Sequence, residues 1–387
     1  MAGLGSLNDI YNAIANGRSF RNDWNKNFLP TTAAVASETH VLARGAGNPA
    51  ADTLFNTGTN LTFQPVTNQT TGASSIPIGP DVQSSGYYKQ LVHASAFSAA
   101  ATTMPAVMRF IDVIGFYRIT SVTTITSQAM TNTLGQTNNI TTVDTGSDYV
   151  DHTAYNLLTG TRVRLTTSGT LPTGLALATD YYVIKVSDTR LKFATSFANA
   201  VAGTAIDITT TGSGTHTLNW LLPRYTNGQG VQALLYNSNA TPLGAATPNL
   251  SFPDYTNQNQ ATGRATPAVL PVGKTAAANG LVLYSGTGAG KYAPAMPLQS
   301  PDDGIAQVNN IQLSASYVSG EFTCLLYKEI CVLPMTTIGV AAERNLSTDL
   351  PSLPRIYDGA ALYPILTSAA ATPVNSSFYG HLFAAWG

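Results

Sequence analysis

The eight residues from Ser285 to Tyr292 (SGTGAGKY) come nearest to a reactive motif. A phosphate-cradling loop needs Gly at its first position for the tight turn, and Ser or Thr after its Lys to bind magnesium. Ser285 and Tyr292 stand in those two places. Leu281 to Tyr284 reads as a strand leading in, but Pro294 and Pro297 forbid a regular helix leading out. A glycine-rich turn is therefore expected here.

Other chemistry-bearing residues are weaker candidates. Glu321 and Glu329 are evenly spaced and would share one face of an unbroken strand, as a pair of glycosidase carboxylates could, yet nothing else marks a sugar cleft. Asp302-Asp303-Gly304 begins like a calcium loop, but too few acidic neighbours follow to complete an oxygen cage, so a turn is expected. The five histidines, His40, His93, His152, His216 and His381, are scattered, and none has the spacing of a ligand pair. Asp151-His152 reads as surface polarity. Cys324 and Cys331 are too few for a disulfide framework. Their odd separation puts them on opposite faces of a single strand. No Gly-x-Ser-x-Gly elbow occurs. No cofactor and no metal are expected.

Composition bounds the rest. Of 387 residues only 10% are Asp, Glu, Lys or Arg, while 44% are hydrophobic. An ordinary soluble domain carries about 25% charged residues. Thr, Asn, Ser and Gln must wet this surface, and they cost less to dehydrate than charges do. Such a surface suits permanent burial against neighbours better than a freely diffusing enzyme. The net charge of −1 offers no basic stripe for nucleic acid. No apolar run reaches the length of a membrane helix, and the first residues lack the pattern of a secretory signal. Synthesis in a cytoplasm is the expectation. The 18 Tyr outnumber the 13 Phe and 3 Trp together. Tyr is favoured at interfaces, where an apolar ring and a polar tip both serve, and Tyr87-Tyr88, Tyr181-Tyr182 and Tyr225 are candidates for that role.

The elements that must position these residues are mostly strands. The exception is N-terminal: Ser6 can cap a helix with Asp9 three residues on, Leu7, Ile10, Tyr11 and Ile14 form one apolar stripe, and Gly17 ends it. Segment 106–126 is rich in β-branched and aromatic residues and predicts two strands with a break near Gly115. Segment 149–220 shows short alternating runs between turns, the mark of a small all-β unit. Its strands are expected at Arg162–Thr166, Tyr181–Val186, Arg190–Ala194, Ile206–Thr209 and His216–Leu218, with a helical turn from Ser196 stopped by Gly203. Segment 311–333 is the strongest apolar β region. Ala360–Leu366 and Phe378–Trp386 suggest a last hairpin. No fixed-period repeat is present.

The run Thr161–Ser187 (TRVRLTTSGTLPTGLALATDYYVIKVS), continued by LKFATS from Leu191, AIDIT from Ala205 and GTHTL from Gly214, resembles a small β module. That module recurs as an insertion in structural proteins of tailed bacteriophages. The opening from Phe20 to Pro30 (FRNDWNKNFLP) and the closing YDGAAL from Tyr357 and FAAWG from Phe383 also resemble phage virion proteins. The resemblance implies a virion structural role and carries over no catalytic residue.

These readings give a mainly β chain: an antiparallel sandwich, in the manner of a jelly roll, with a short N-terminal helix and an inserted β module. Residues 1–30 are read as a helix and anchoring arm, 31–148 and 221–387 as the two parts of the core, and 149–220 as the insertion, whose entry and exit must lie close together. The expected function is non-enzymatic. It is a capsid decoration or cement protein in the virion, a homo-oligomer (a trimer as first guess) gripping the major capsid protein or other virion proteins, with neither nucleic acid nor membrane as partner. A tail-associated receptor-binding or tail structural protein is the alternative. A polysaccharide-degrading enzyme is a more distant one, and the shell-forming protein more distant again, because no long spine helix is readable. Leu7, Ile10, Tyr11, Ile14, Trp24 and Phe28 are the expected anchoring contacts.

Overall fold

The computed structural model describes residues 3–28, 38–68, 74–99, 105–153, 155, 157–239, 241, 243–244, 248–266, 270–271, 280–283, 294–349, 353–369 and 376–387. The glycine-rich stretch at Ser285–Tyr292 lies outside them. The chain is mainly β, 45% strand and 9% helix, and every strand pair named below is antiparallel.

Two fourteen-residue strands, Ala106–Ile119 and Phe322–Met335, pair along their whole length and form the spine of the molecule. Their sheet runs Gln232–Tyr236, Phe322–Met335, Ala106–Ile119, Leu362–Ser368, Thr39–Val41, with Phe63–Pro65 also on Ala106–Ile119. A second sheet runs Ala342–Asn345, Lys89–Ser98, Ser377–Trp386, Ser19–Asn27, Gly47–Asn48, with Arg355–Ile356 also on Lys89–Ser98. A third runs Leu270–Pro271, Asn249–Asn257, Ile305–Leu313, Gln128–Ala129.

One face of the spine serves two cores in succession, while Ile111, Val113, Phe116, Leu325 and Tyr327 on the other face form a third with Val41, Leu234 and Tyr363. Ala106, Met108, Phe110 and Leu333 pack with Trp24, Leu91, Ala96 and Leu382 of the second sheet. Tyr117, Ile119, Phe322 and Cys324 pack with Leu250, Tyr255, Ile305 and Val308 of the third. Trp24 meets Phe110 edge to face at 5.3 Å, joining the two layers of a sandwich.

Segment 106–126 was expected to break near Gly115, but Ala106–Ile119 is one strand. The register slips between Leu326 and Tyr327, where Gly115 and Val113 are the partners, so Ile114 is an extra residue in a β-bulge. A bulge bends a strand without ending its ladder. Gly115 is required beside it, because an added Cβ would stand 2.3 Å from the Phe63 ring. A second slip, between Glu329 and Cys331, shifts side-chain parity by one. Cys324 and Cys331 therefore share a face instead of opposing each other, and each is buried in a different core.

The tail does not form a hairpin. Leu362–Ser368 pairs with Ala106–Ile119, while Ser377–Trp386 pairs with Lys89–Ser98 and Ser19–Asn27 in the other sheet. Both runs are apolar enough for a sandwich interior, and they contribute one strand to each layer.

The insertion is a closed six-stranded barrel in the order Arg162–Thr167, Tyr181–Lys185, Arg190–Ala194, Tyr149–His152, Gln136–Asp144, His216–Trp220. It has its own core of Val150, Val163, Leu165, Val183, Leu191, Phe193, Leu218 and Trp220. It starts at Gln136, ahead of the expected 149. Its first strand reads QTNNITTVD, too polar to be told from a loop by composition. Gln136 and Trp220 are direct cross-strand partners, so the chain enters and leaves at one point. The helix Phe197–Ala202 has Ser196 as its cap and Gly203 in the left-handed conformation at its end. Ile206–Thr209 forms no strand; it runs alongside the barrel, with the Ile208 amide donating to Asp148. His152, expected at the surface, is 3% exposed.

Candidate functional site

The six expected anchoring residues separate into two groups. The helix Leu7–Ala15 is capped as its sequence requires: the Asp9 amide donates to Ser6 Oγ (3.2 Å), and Ser6 Oγ and the Gly5 amide donate to the Asp9 carboxylate (2.9 and 3.0 Å). These bonds hold that carboxyl below its usual range. Ile10 and Ala13 pack on Val92 and Ala385, so the helix lies on the sheet built around Lys89–Ser98. Leu7 (55% exposed), Tyr11 (68%) and Ile14 (42%) point away from it. Trp24 and Phe28, by contrast, are 2% and 1% exposed, in the sandwich core.

The expected anchoring arm therefore ends at the helix. Ser19–Asn27 is an inner strand, paired on both sides by Ser377–Trp386 and Gly47–Asn48. Within it, Lys26 is fully buried and donates to the carbonyls of Ala43, Gly45 and Ala50 at 3.1, 3.1 and 2.9 Å. Burial pulls its pKa down to about 8, against the charge of Asp52. A sequence like FRNDWNKNFLP hides this, because a strand with alternate polar residues reads equally well as an extended arm.

The outward face of the same sheet carries a second ordered array. Strand registers align its side chains in rows across the sheet. One row is Glu343, Ser95, His381, Asp23; the next is Phe97, Tyr379, Asn25, Asn48. Phe97 and Tyr379 stack at 5.3 Å and 21°. His381 Nδ1 lies 2.8 Å from Ser95 Oγ, and its Nε2 lies 3.0 Å from His93 Nδ1. The two imidazoles are within 10° of parallel with centroids 4.9 Å apart, which suits an edge-to-edge hydrogen bond with one proton between the rings. Burial, then Arg21 and His93, lower the His381 pKa against the pull of Asp23 and Glu343. An open groove of about 480 Å³ follows these two rows.

Serine, histidine and a third orienting group have the connectivity of an activated nucleophile. Ser95, however, is 4% exposed, and its oxygen already accepts the His381 amide N–H at 3.1 Å. What the relay presents to solvent is an imidazole edge. His93 and His381 are far apart in sequence, and only the register brings them together. Among the described residues no group of three or more His, Cys, Asp or Glu could hold a metal ion, and no helix is long and apolar enough to cross a membrane.

The other sequence candidates have structural partners. Asp302 receives Arg264 through two nitrogens (2.8 and 3.1 Å), the Tyr255 hydroxyl (2.6 Å) and Asn257 (2.8 Å), and these bonds hold its carboxyl low despite burial. Glu321 pairs with Arg118 at 2.7 Å and Glu329 with Arg109 at 3.1 Å, so each carboxylate has its own arginine. Tyr181 and Tyr225 are buried. The Tyr88 hydroxyl donates to Asp188 of the barrel at 3.1 Å, and its ring lies 3.7 Å from the Arg355 guanidinium. These tyrosines make contacts within the chain. No family model matches the chain, and no curated protein matches it.

Proposed function

We propose that the chain is a non-enzymatic structural component of a tailed-phage virion, a decoration or cement protein that stabilises the head. The observation that carries the reading is the helix Leu7–Ala15. Three large apolar side chains, Leu7, Tyr11 and Ile14, stand exposed along one line of a helix that Ile10 and Ala13 clamp to the body. A monomer gains nothing from that stripe, whereas an assembled neighbour would bury it. The low charge of the chain makes burial of the surrounding surface cheap as well. A ligand that binds only the assembled shell stabilises it by mass action.

Removal of residues 1–30 would take out an inner strand, so the test must be confined to the helix. The variant Leu7→Gln, Tyr11→Gln, Ile14→Gln keeps helix-forming residues and the buried Ile10. We expect it to fold and unfold like the parent, and to be lost from purified particles in a complementation assay. Unchanged incorporation overturns the role of the helix. Quantitative mass spectrometry of particles then separates the two virion readings: many copies per head for a cement protein, few for a tail-associated receptor-binding protein.

A further inference from the structure

We propose that the groove over Phe97 and Tyr379 is a binding site for a neutral oligosaccharide. Antiparallel register sets Phe97 beside Tyr379, and Tyr379 beside Asn25, which in turn faces Asn48. The result is an aromatic platform that continues into two amides. The adjacent row places carboxylates at both ends, Glu343 on one edge and Asp23 on the other. Both lie exposed, Asp23 with 73% of its side chain open to solvent.

A pyranose ring has an apolar C–H face and a rim of hydroxyls. It needs a flat π surface below and acceptor-rich groups at the sides. Phe97 and Tyr379 supply the first; the two carboxylates and two amides supply the second. The amides are already set in position. Asn25 Oδ1 accepts the Asn48 amide N–H at 2.9 Å, and Asn48 Nδ2 donates to the Asp23 carbonyl at 3.2 Å. The groove is open and about 480 Å³, which suits a short stretch of a longer glycan lying across the strands.

Charge decides against the other planar ligand an aromatic platform could take. A nucleotide would bring its phosphate to a face with carboxylates at both ends, where like charges repel, and the nearby Arg21 is already paired with Asp23 at 3.0 Å. A neutral saccharide meets no such penalty. The inference does not depend on where in a particle the chain resides, since it rests on one face of one sheet.

The test uses the full chain with cellotetraose, maltotetraose and chitotetraose in turn, followed by saturation-transfer NMR and calorimetry. At least one should bind with a Kd of about 0.1–1 mM. Tyr379→Ala and Phe97→Ala should each weaken it about tenfold, equivalent to ~1.4 kcal/mol. Tyr379→Phe should retain most of the affinity, and Glu343→Gln should lose several-fold. All three positions are at the surface or half-buried, and equal thermal unfolding of the four variants checks that they fold. The proposal is overturned if none of the three sugars shows saturation transfer. Affinity that survives Tyr379→Ala, or adenosine monophosphate binding more tightly than every sugar, overturns it equally.

Discussion

The barrel and the sandwich body solve one problem, how to bury a β-sheet, in opposite ways. The barrel closes on itself, so it has no edge strands to protect. Two of its ion pairs are partly open to solvent: Arg190 with Asp151 at 2.7 Å, and Arg164 with Asp180. The body leaves its sheets open and fills the gaps with buried polar clusters. Lys26 is held by three carbonyls. Asp52 accepts from Ser74 and Tyr363. Arg224, 3% exposed, grips Asp112, 0% exposed. Solvated pairs contribute little to stability, whereas a buried pair is costly to break. The body should therefore be brittle towards single polar substitutions, and the barrel tolerant of them.

The largest expected effect is at the Arg224–Asp112 pair. Arg224 follows the barrel exit at Trp220 and donates to both Asp112 oxygens (2.9 and 2.6 Å) and to the carbonyls of Val66 and Val113 (2.9 and 2.7 Å). The Ala361 amide also donates to Asp112. Arg224→Met strands a buried carboxylate in the central strand and should cost about 3–5 kcal/mol in urea unfolding of the body. Arg164→Met in the barrel, at an exposed pair, should cost under ~1 kcal/mol. Equal losses at the two sites would erase the distinction.

Acid should find the body through His40. Its ring is 2% exposed, packs edge-on against Phe28 at 4.7 Å, and burial pushes its pKa down to about 3. The unfolded chain takes up that proton below about pH 6.5, while the folded chain refuses it until about pH 3. Stability present above pH 6.5 is thus lost as pH falls towards 3, by at most about 5 kcal/mol at ~1.4 kcal/mol per pH unit. The Glu38 carboxylate, 3.7 Å from Nε2, favours the cation and trims that figure. His40→Phe preserves the edge contact and should flatten the slope of body stability between pH 6.5 and 4. A slope that persists in the variant would assign the acid sensitivity to another group.

The contrast also explains which parts of the fold were legible. The barrel strands Arg162–Thr167, Tyr181–Lys185 and Arg190–Ala194 show period-two alternation between Gly and Asp turns, because a small closed sheet has one wet face and one dry face. The helix was legible through Ser6, Asp9 and Gly17, each of which does the capping its type allows. The body resisted because its spine is buried on both faces. A strand like FIDVIGFY has no alternation to read, and a bulge adds a residue without any marker beyond Gly115. Asp112 was the available signal of the buried pair, a single carboxylate inside that apolar run. The candidate groove was the least legible of all. Residues 23, 25, 97, 343, 379 and 381 converge only through the registers of four separate strands.

The smallest effect concerns the joint between the two regions. Tyr88 belongs to the body, on the approach to Lys89–Ser98, and its hydroxyl reaches Asp188 in the barrel turn that Lys185 also holds. Burial raises the Asp188 pKa, but Lys185, Tyr88 and Arg355 more than offset that and leave it low. Other ties across the joint include Tyr155 to the Pro223 carbonyl (2.6 Å), Thr161 to Thr226 (2.5 Å), the Leu158 amide to Thr226 (3.0 Å), Asn227 to the Thr159 carbonyl (3.1 Å) and Arg162 to Gln307 (2.6 Å). Tyr88→Phe removes one charge-assisted bond of several, a loss of about 1 kcal/mol, and leaves the ring on Arg355. That loss should appear as faster hydrogen exchange at the barrel turn around Asp188, with the barrel's inner strands and the body unchanged. If exchange rises throughout the barrel instead, the barrel depends on the body for its fold, and its closed ladder is not self-sufficient.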